Sequence, residues 1–144
     1  MSNSPLDLAR FLPYRLNVLA ERVSKELARV YESRFGLSIP EWRLLAHLAN
    51  NDRVSVREVF EKVALDKPTV SRAAARLETA GLIAKRVNAG DRRLVELSLT
   101  PAGRDLFAQV APLALAYERR LLDRLDEAER TALEGILEKL SGDH

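Results

Sequence analysis

Ser55-Val-Arg-Glu-Val-Phe-Glu-Lys-Val-Ala-Leu-Asp-Lys-Pro-Thr-Val-Ser-Arg-Ala-Ala-Ala-Arg-Leu-Glu-Thr-Ala-Gly81 reads as two helices joined by a tight turn. Ser55 and Glu58 can form a capping box, each side chain accepting from the other's free backbone amide. Val56, Val59, Phe60 and Val63 keep helical spacing, and Ala64-Leu65 makes the turn. Asp66 is a natural N-cap for the second helix, and Pro68 is tolerated in a first turn, where amides have no intrahelical partner. At about 100° per residue the second helix gathers Val70, Ala73, Ala74 and Leu77 on one face. Pro68, Ser71, Arg72, Ala75 and Thr79 fall opposite, with Thr69 and Arg76 at the edge and Lys67 at the tip. An outward face of small residues and arginines can approach base edges closely, and Arg is the commonest bidentate partner of guanine. A solvated amphipathic helix is the other reading of the same pattern. Gly81 ends the helix as its C′ residue.

A β-hairpin follows, with arms at 82–87 and 94–99. In the second arm Val95, Leu97 and Leu99 point one way and Glu96 and Ser98 the other, a period of two. The connection Asn88-Ala-Gly-Asp-Arg-Arg93 is rich in turn formers. Asp91 and Arg93 stand two apart, close enough for a local pair to stiffen a tip of cations. Alone, such a loop is most simply an exposed turn with incidental charges. Behind a basic helix it fits a different role: the helix enters a DNA major groove and the arginine-tipped hairpin reaches the neighbouring minor groove.

Ser38-Ile-Pro-Glu-Trp42, Leu65-Asp-Lys-Pro-Thr-Val-Ser-Arg72, Leu77-Glu-x-x-Gly-Leu82, Asp91-Arg-Arg93 and Leu97-Ser-Leu-Thr-Pro-Ala-Gly103 together resemble MarR-type winged helix-turn-helix regulators. The resemblance covers essentially the whole chain. It implies a homodimeric, ligand-responsive transcriptional regulator, usually a repressor, bound to a double-stranded DNA operator. The expected fold is mainly α with a small β-hairpin. A winged helix-turn-helix at 37–100 would be flanked by dimerisation helices at 1–36 and 101–144, all in one domain. The expected DNA contacts are Lys67, Pro68, Thr69, Ser71, Arg72 and Arg76 on the second helix, and Asp91, Arg92 and Arg93 on the wing. Leu12-Pro-Tyr-Arg-Leu-Asn-Val-Leu19 and Glu41-Trp-Arg43 further resemble members that answer to aromatic acids or their thioesters. A DNA-binding architectural module without an effector is the alternative.

Composition sets limits. The 144 residues suit one domain and include no cysteine, which excludes disulfides, thiolate metal sites and thiol redox sensing. Two histidines, His47 and His144, are too few for a histidine-based zinc sensor, so no metal or cofactor is expected. There is no run of about 18 apolar residues and no charged-then-apolar leader, so a soluble cytoplasmic protein is expected. Net charge is only +2, but residues 53–100 carry ten Lys/Arg against six Asp/Glu, a balance of +4. The basic portion is thus the one proposed to meet DNA. No serine sits near a histidine in a nucleophile-elbow setting, and no glycine-rich phosphate loop is present. An enzyme is not expected.

The flanks carry apolar stripes. Leu12, Leu16, Leu19, Val23, Leu27 and Val30 recur at helical spacing, extended by Tyr31 and Phe35. Leu106, Val110, Leu113, Tyr117 and Leu121 repeat the pattern behind Thr100-Pro101, an N-cap and N1 pair. Pro112 is expected to kink that helix. Asp126 and Glu129 start a last helix bearing Leu133, Ile136, Leu137 and Leu140. These stripes either complete a monomer core or meet a second copy around a two-fold axis; the latter is the expectation. In the resembled family a ligand lies in the crevice between dimerising helices and winged domain. Tyr14, Arg15, Asn17, Trp42, Arg43 and His47 are the candidates, an arginine clamping a carboxylate against an aromatic wall. Each also has a plainer role: Trp42 as core, His47 and Arg15 as surface groups.

Overall fold

The computed structural model describes residues 5–51, 53–87, 90 and 95–142, and for Phe60 the backbone alone. The expected wing tip, Asp91, Arg92 and Arg93, therefore lies outside the described residues. The chain forms two compact units, one up to Val110 and one from Ala111 onward.

In the first unit a 3-10 turn at Leu8–Arg10 leads into α1, Leu12–Phe35, followed by α2, Ile39–Ala49. The strand β1, Val54–Ser55, runs directly into α3, Val56–Lys62, and then α4, Lys67–Thr79. The strands β2, Ile83–Val87, and β3, Val95–Leu99, form the hairpin, and α5, Pro101–Leu122, begins in this unit and ends in the second. The cap residues are those the sequence suggests, though the capping box expected at Ser55 and Glu58 is only half formed. Ser38 and Glu41 satisfy each other's amides at the start of α2. Ser55 accepts from the Glu58 amide at 3.1 Å to open α3.

The hairpin is part of a three-stranded antiparallel sheet in the order β1-β3-β2. Val54 pairs with Leu97, and Ile83 pairs with Leu99. The strand β1 was not expected, because two residues are too few to show a period. Leu82, expected in the first arm, instead closes the end of α4. Its amide donates to the Leu77 carbonyl at 2.9 Å, while Gly81, at φ +78°, donates to Glu78 at 2.9 Å. That pair of bonds is a Schellman ending, which needs a left-handed C′ residue and so favours glycine.

The core gathers Ala28 and Tyr31 of α1, Leu44, Leu45 and Leu48 of α2, Val59 of α3, and Val70, Ala73, Ala74 and Leu77 of α4. Val54, Ile83, Leu97 and Leu99 of the sheet, Val110 of α5, Leu37 before α2 and Val63 at the end of α3 complete it. Thr100 fastens α5 to this core. Its Oγ1 accepts from the Gly103 amide at 3.1 Å and donates to the Gly81 carbonyl at 2.7 Å. The helix continues through Pro112 to Leu122.

In the second unit α6, Glu127–Ser141, opens with a capping box between Asp126 and Glu129. Arg130 donates to the Leu122 carbonyl at 2.9 Å and to Asp123 Oδ1 at 3.2 Å. A guanidinium there satisfies one of the free carbonyls at the end of α5.

Candidate nucleic-acid interface

The helix α4 presents two unlike faces. Val70, Ala73, Ala74 and Leu77 are buried, while Lys67, Pro68, Ser71, Arg72, Ala75 and Arg76 are exposed and Thr69 is half-buried. The exposed face is low in relief and cationic, and its N-terminal amides add a partial positive charge suited to phosphate. Asp66 caps the helix by accepting from the Thr69 amide at 2.8 Å. Hydrogen bonds from the Thr69 side chain and amide, with Arg72 nearby, hold the Asp66 carboxyl below its usual range. The cap thus stays ionised and acceptor-only at neutral pH.

Arg76 is bound differently from Arg72. Its Nε lies 3.4 Å from Oε2 of Glu41, whose Oε1 accepts from the Ser38 amide at 2.8 Å. Glu41 is buried, yet each of its oxygens faces a donor, so its charge is compensated. Arg76 therefore joins α4 to the first turn of α2. Sequence reasoning missed this pair. The signal was a capping-box glutamate with an oxygen to spare, and an arginine at the rim of the helix.

The strand β2 also carries cations. Only Ile83 is buried, and Lys85 and Arg86 are exposed. Lys85 Nζ stands 3.8 Å from Glu78 on α4, and Arg86 is opposite Glu96 in the register.

The ligand candidates fall into two groups. On α2, Trp42 is stacked between Tyr31 and Phe107, with ring centroids 5.4 and 5.6 Å away. Arg43 donates to the Val63 carbonyl and to Ser24 Oγ, each at 3.3 Å. His47 Nε2 is buried without a hydrogen-bond partner, 3.9 Å from Glu58 Oε2. Burial pushes the Tyr31 hydroxyl up to about 12, helped by Glu32 and opposed by Arg43. On α1, Tyr14, Arg15 and Asn17 are all exposed. Asn17, Ser24 and Tyr31 recur every seven residues and so share one side of the helix, whereas Arg15 projects from roughly the opposite side. Asn17 lies about 10 Å along the axis from Ser24, at a rise of about 1.5 Å per residue. Arg15 thus leaves α1 on a different side from Ser24 and Tyr31, which face Arg43 and Trp42 of α2. Among the described residues no helix is long and apolar enough to cross a membrane, and no group of three or more acidic or histidine side chains is placed to hold a metal.

The MarR family profile matches residues 35–94, which contain α2, α3, α4 and β2. The chain is also 31% identical over 126 residues to the HTH-type transcriptional repressor MdtR of Bacillus subtilis, covering 88% of this chain and 81% of the repressor. It belongs to the MarR family. Two solved structures share its fold along nearly the whole length. One is BpsR of Bordetella bronchiseptica, whose DNA binding is regulated by 6-hydroxynicotinic acid. It is 26% identical, with a TM-score of 0.85 and coverage of 98% of this chain and 100% of that one. The other is a MarR/EmrR family regulator of Acinetobacter, 29% identical, with a TM-score of 0.85 and coverage of 94% and 96%. This MarR protein is accordingly a DNA-binding transcriptional regulator and not an enzyme.

Proposed function

We propose that this MarR protein is a homodimeric, ligand-responsive repressor that reads a pseudo-palindromic operator. The observation that carries the reading is the two-faced α4: its apolar side is buried, and Lys67, Ser71 and Arg72 stand outward on a surface of small residues. Each α4 would enter a major groove, with Asp91, Arg92 and Arg93 extending the wing towards the minor groove. Repression follows the B. subtilis relative, which is a repressor.

A second copy is supported by apolar surface that one chain leaves open. Leu8, Phe11, Leu12, Leu16 and Leu19 are exposed at the start of the first unit, and Ile136, Leu137 and Leu140 in the second. Leu12, Leu16 and Leu19 share one side of α1, and exposed apolar surface of this kind marks an interaction site. An aromatic acid as effector is supported by the Bordetella relative, whose DNA binding answers to 6-hydroxynicotinic acid. In this chain Arg43 has donors beyond the two it uses to meet a carboxylate. A ligand that moved α1 relative to α4 would change the separation of two reading helices and so release DNA.

Selection of duplexes from a random pool tests the first part. The expected product is an inverted repeat with half-sites about 10–10.5 base pairs apart, or a multiple of a helical turn. Light scattering tests the second: a mass near 16.2 kDa at micromolar concentration contradicts the homodimer. A panel of aromatic acids, scored by duplex release and by melting temperature, tests the third. If none shifts either quantity, the protein is a DNA-binding module without an aromatic-acid effector.

A further inference from the structure

Arg43 and His47 leave the same side of α2, one turn apart, and meet opposite ends of α3. His47 Nε2 lies 3.9 Å from Glu58 in the first turn of α3. Arg43 Nη1 donates to the carbonyl of Val63, the C-cap of α3, at 3.3 Å, while Nη2 donates at the same distance to Ser24 Oγ on α1. Carbonyls in the last turn of a helix have no partner within it, and a cation there also meets the negative end of the helix dipole. The next residue, Ala64, holds φ at +58°. A side chain with a Cβ adopts that left-handed conformation only where its surroundings impose it. Leu65 and the cap Asp66 follow, and then α4 begins. One guanidinium therefore links α1 to the peptide unit immediately before the turn that aims α4.

We propose that Arg43 is a positioning residue for DNA recognition: by bridging Ser24 Oγ and the Val63 carbonyl, it holds the left-handed turn at Ala64 and makes the bearing of α4 depend on α1. The proposal rests on α4 being the reading helix, and it deepens that reading by naming what aims the helix. Lysine in place of Arg43 keeps the charge but not the planar fork that reaches two acceptors at once. Glutamine removes the charge. Ser24→Ala removes one anchor from a different helix and leaves Arg43 itself intact.

The test measures affinity of wild type, Arg43→Lys, Arg43→Gln and Ser24→Ala for the duplex that wild type selects and for a scrambled duplex, at several salt concentrations. The expected result is a fall of at least about fivefold in the ratio of selected to scrambled affinity for both Arg43 variants. Ser24→Ala should show a smaller fall in the same direction. The slope of log affinity against log salt should stay as in wild type, because no phosphate contact is lost. A shallower slope in Arg43→Gln makes Arg43 a direct phosphate contact and overturns the proposal. So does an unchanged ratio in folded Arg43→Lys and Ser24→Ala. Amide exchange across residues 63–66 of the free protein gives an answer that needs no DNA. It should quicken in Arg43→Lys and Ser24→Ala, and wild-type protection in both overturns the brace. If wild type selects no sequence, the reading role of α4 falls while the exchange result still decides the role of Arg43.

Discussion

Gly103 lies so close to the carbonyl of Leu82 that a Cβ at this position would collide with that oxygen. The same Cβ would also stand 3.1 Å from the Leu82 carbonyl carbon and from Leu99 Cδ2. The first turn of α5 is thus seated against the backbone where α4 ends and β2 begins. The Leu82 carbonyl also accepts from the Thr100 amide at 3.1 Å, so retreat of the strand would break a hydrogen bond.

Gly103→Ala should therefore lower stability by about 2–3 kcal/mol, in the range for overpacking a fixed neighbour. Gly135 supplies the contrast. It is inside α6, and a Cβ there meets nothing within 4 Å. Gly135→Ala should raise stability by about 0.5–1 kcal/mol through helix propensity alone. Urea unfolding of both variants checks the pair, and equal effects would refute the packing account of Gly103.

Glu41 and Arg76 should be energetically coupled, but weakly. Arg76 is more than half exposed, so solvent limits the pair to about 1 kcal/mol or less. A double-mutant cycle with Glu41→Gln and Arg76→Gln measures it. Glu41→Ala alone should cost more than Glu41→Gln alone, because glutamine keeps an oxygen that can accept from the Ser38 amide, 2.8 Å away in wild type, and alanine does not. Equal single effects would mean that the capping bond contributes nothing.

Tyr31 makes the protein sensitive to alkali. Its proton is held to about 12 in the folded chain, against about 10 for an unperturbed tyrosine. The unfolded chain binds fewer protons from about pH 10 upward. The stabilisation is complete below that pH and is lost as pH rises through about 12. Wild type should lose about 2–3 kcal/mol more than Tyr31→Phe across this window, and parallel curves would show that the hydroxyl is not responsible.

Arg72 and Arg93 should differ in the kind of loss they cause. Arg72→Ala should cost about 1–3 kcal/mol on the selected duplex and relax preference at one position per half-site. Arg93→Ala should weaken binding to most duplexes, reduce the salt slope and disturb mainly the A·T preference of the flanks. Wild-type affinity of Arg93→Ala at every salt concentration would remove the wing from the interface.

The helices were legible because their signals are local. Ser38, Ser55, Asp66 and Asp126 each act within three residues, and α4 buries the four residues that its period selects. Helical spacing puts Trp42, Leu45, Ala46 and Ala49 on one side of α2, but that stripe is not its whole buried side. Leu44 and Leu48 are buried along with Leu45, while Ala46 and Ala49 are only half-buried. That helix packs against more than one neighbour, so a single stripe understates its buried side. The site's other connections span long separations: Arg43 with Ser24 and Val63, Glu41 with Arg76, and Gly103 with Leu82. No periodicity encodes such contacts, since each depends on which surfaces the folded chain brings together. Arg43 appeared as a free cation beside a tryptophan for that reason.

The stack of Tyr31, Trp42 and Phe107 gives the protein a built-in optical gauge. Trp42 is the sole tryptophan, so all indole emission arises where α1, α2 and α5 touch. Any displacement of α1 or α5 against α2 changes the surroundings of that one fluorophore, and its brightness and colour report the displacement without an attached dye. Titration of a small acid, dilution of the protein and addition of duplex can each be followed through the same emission band, on the unmodified chain.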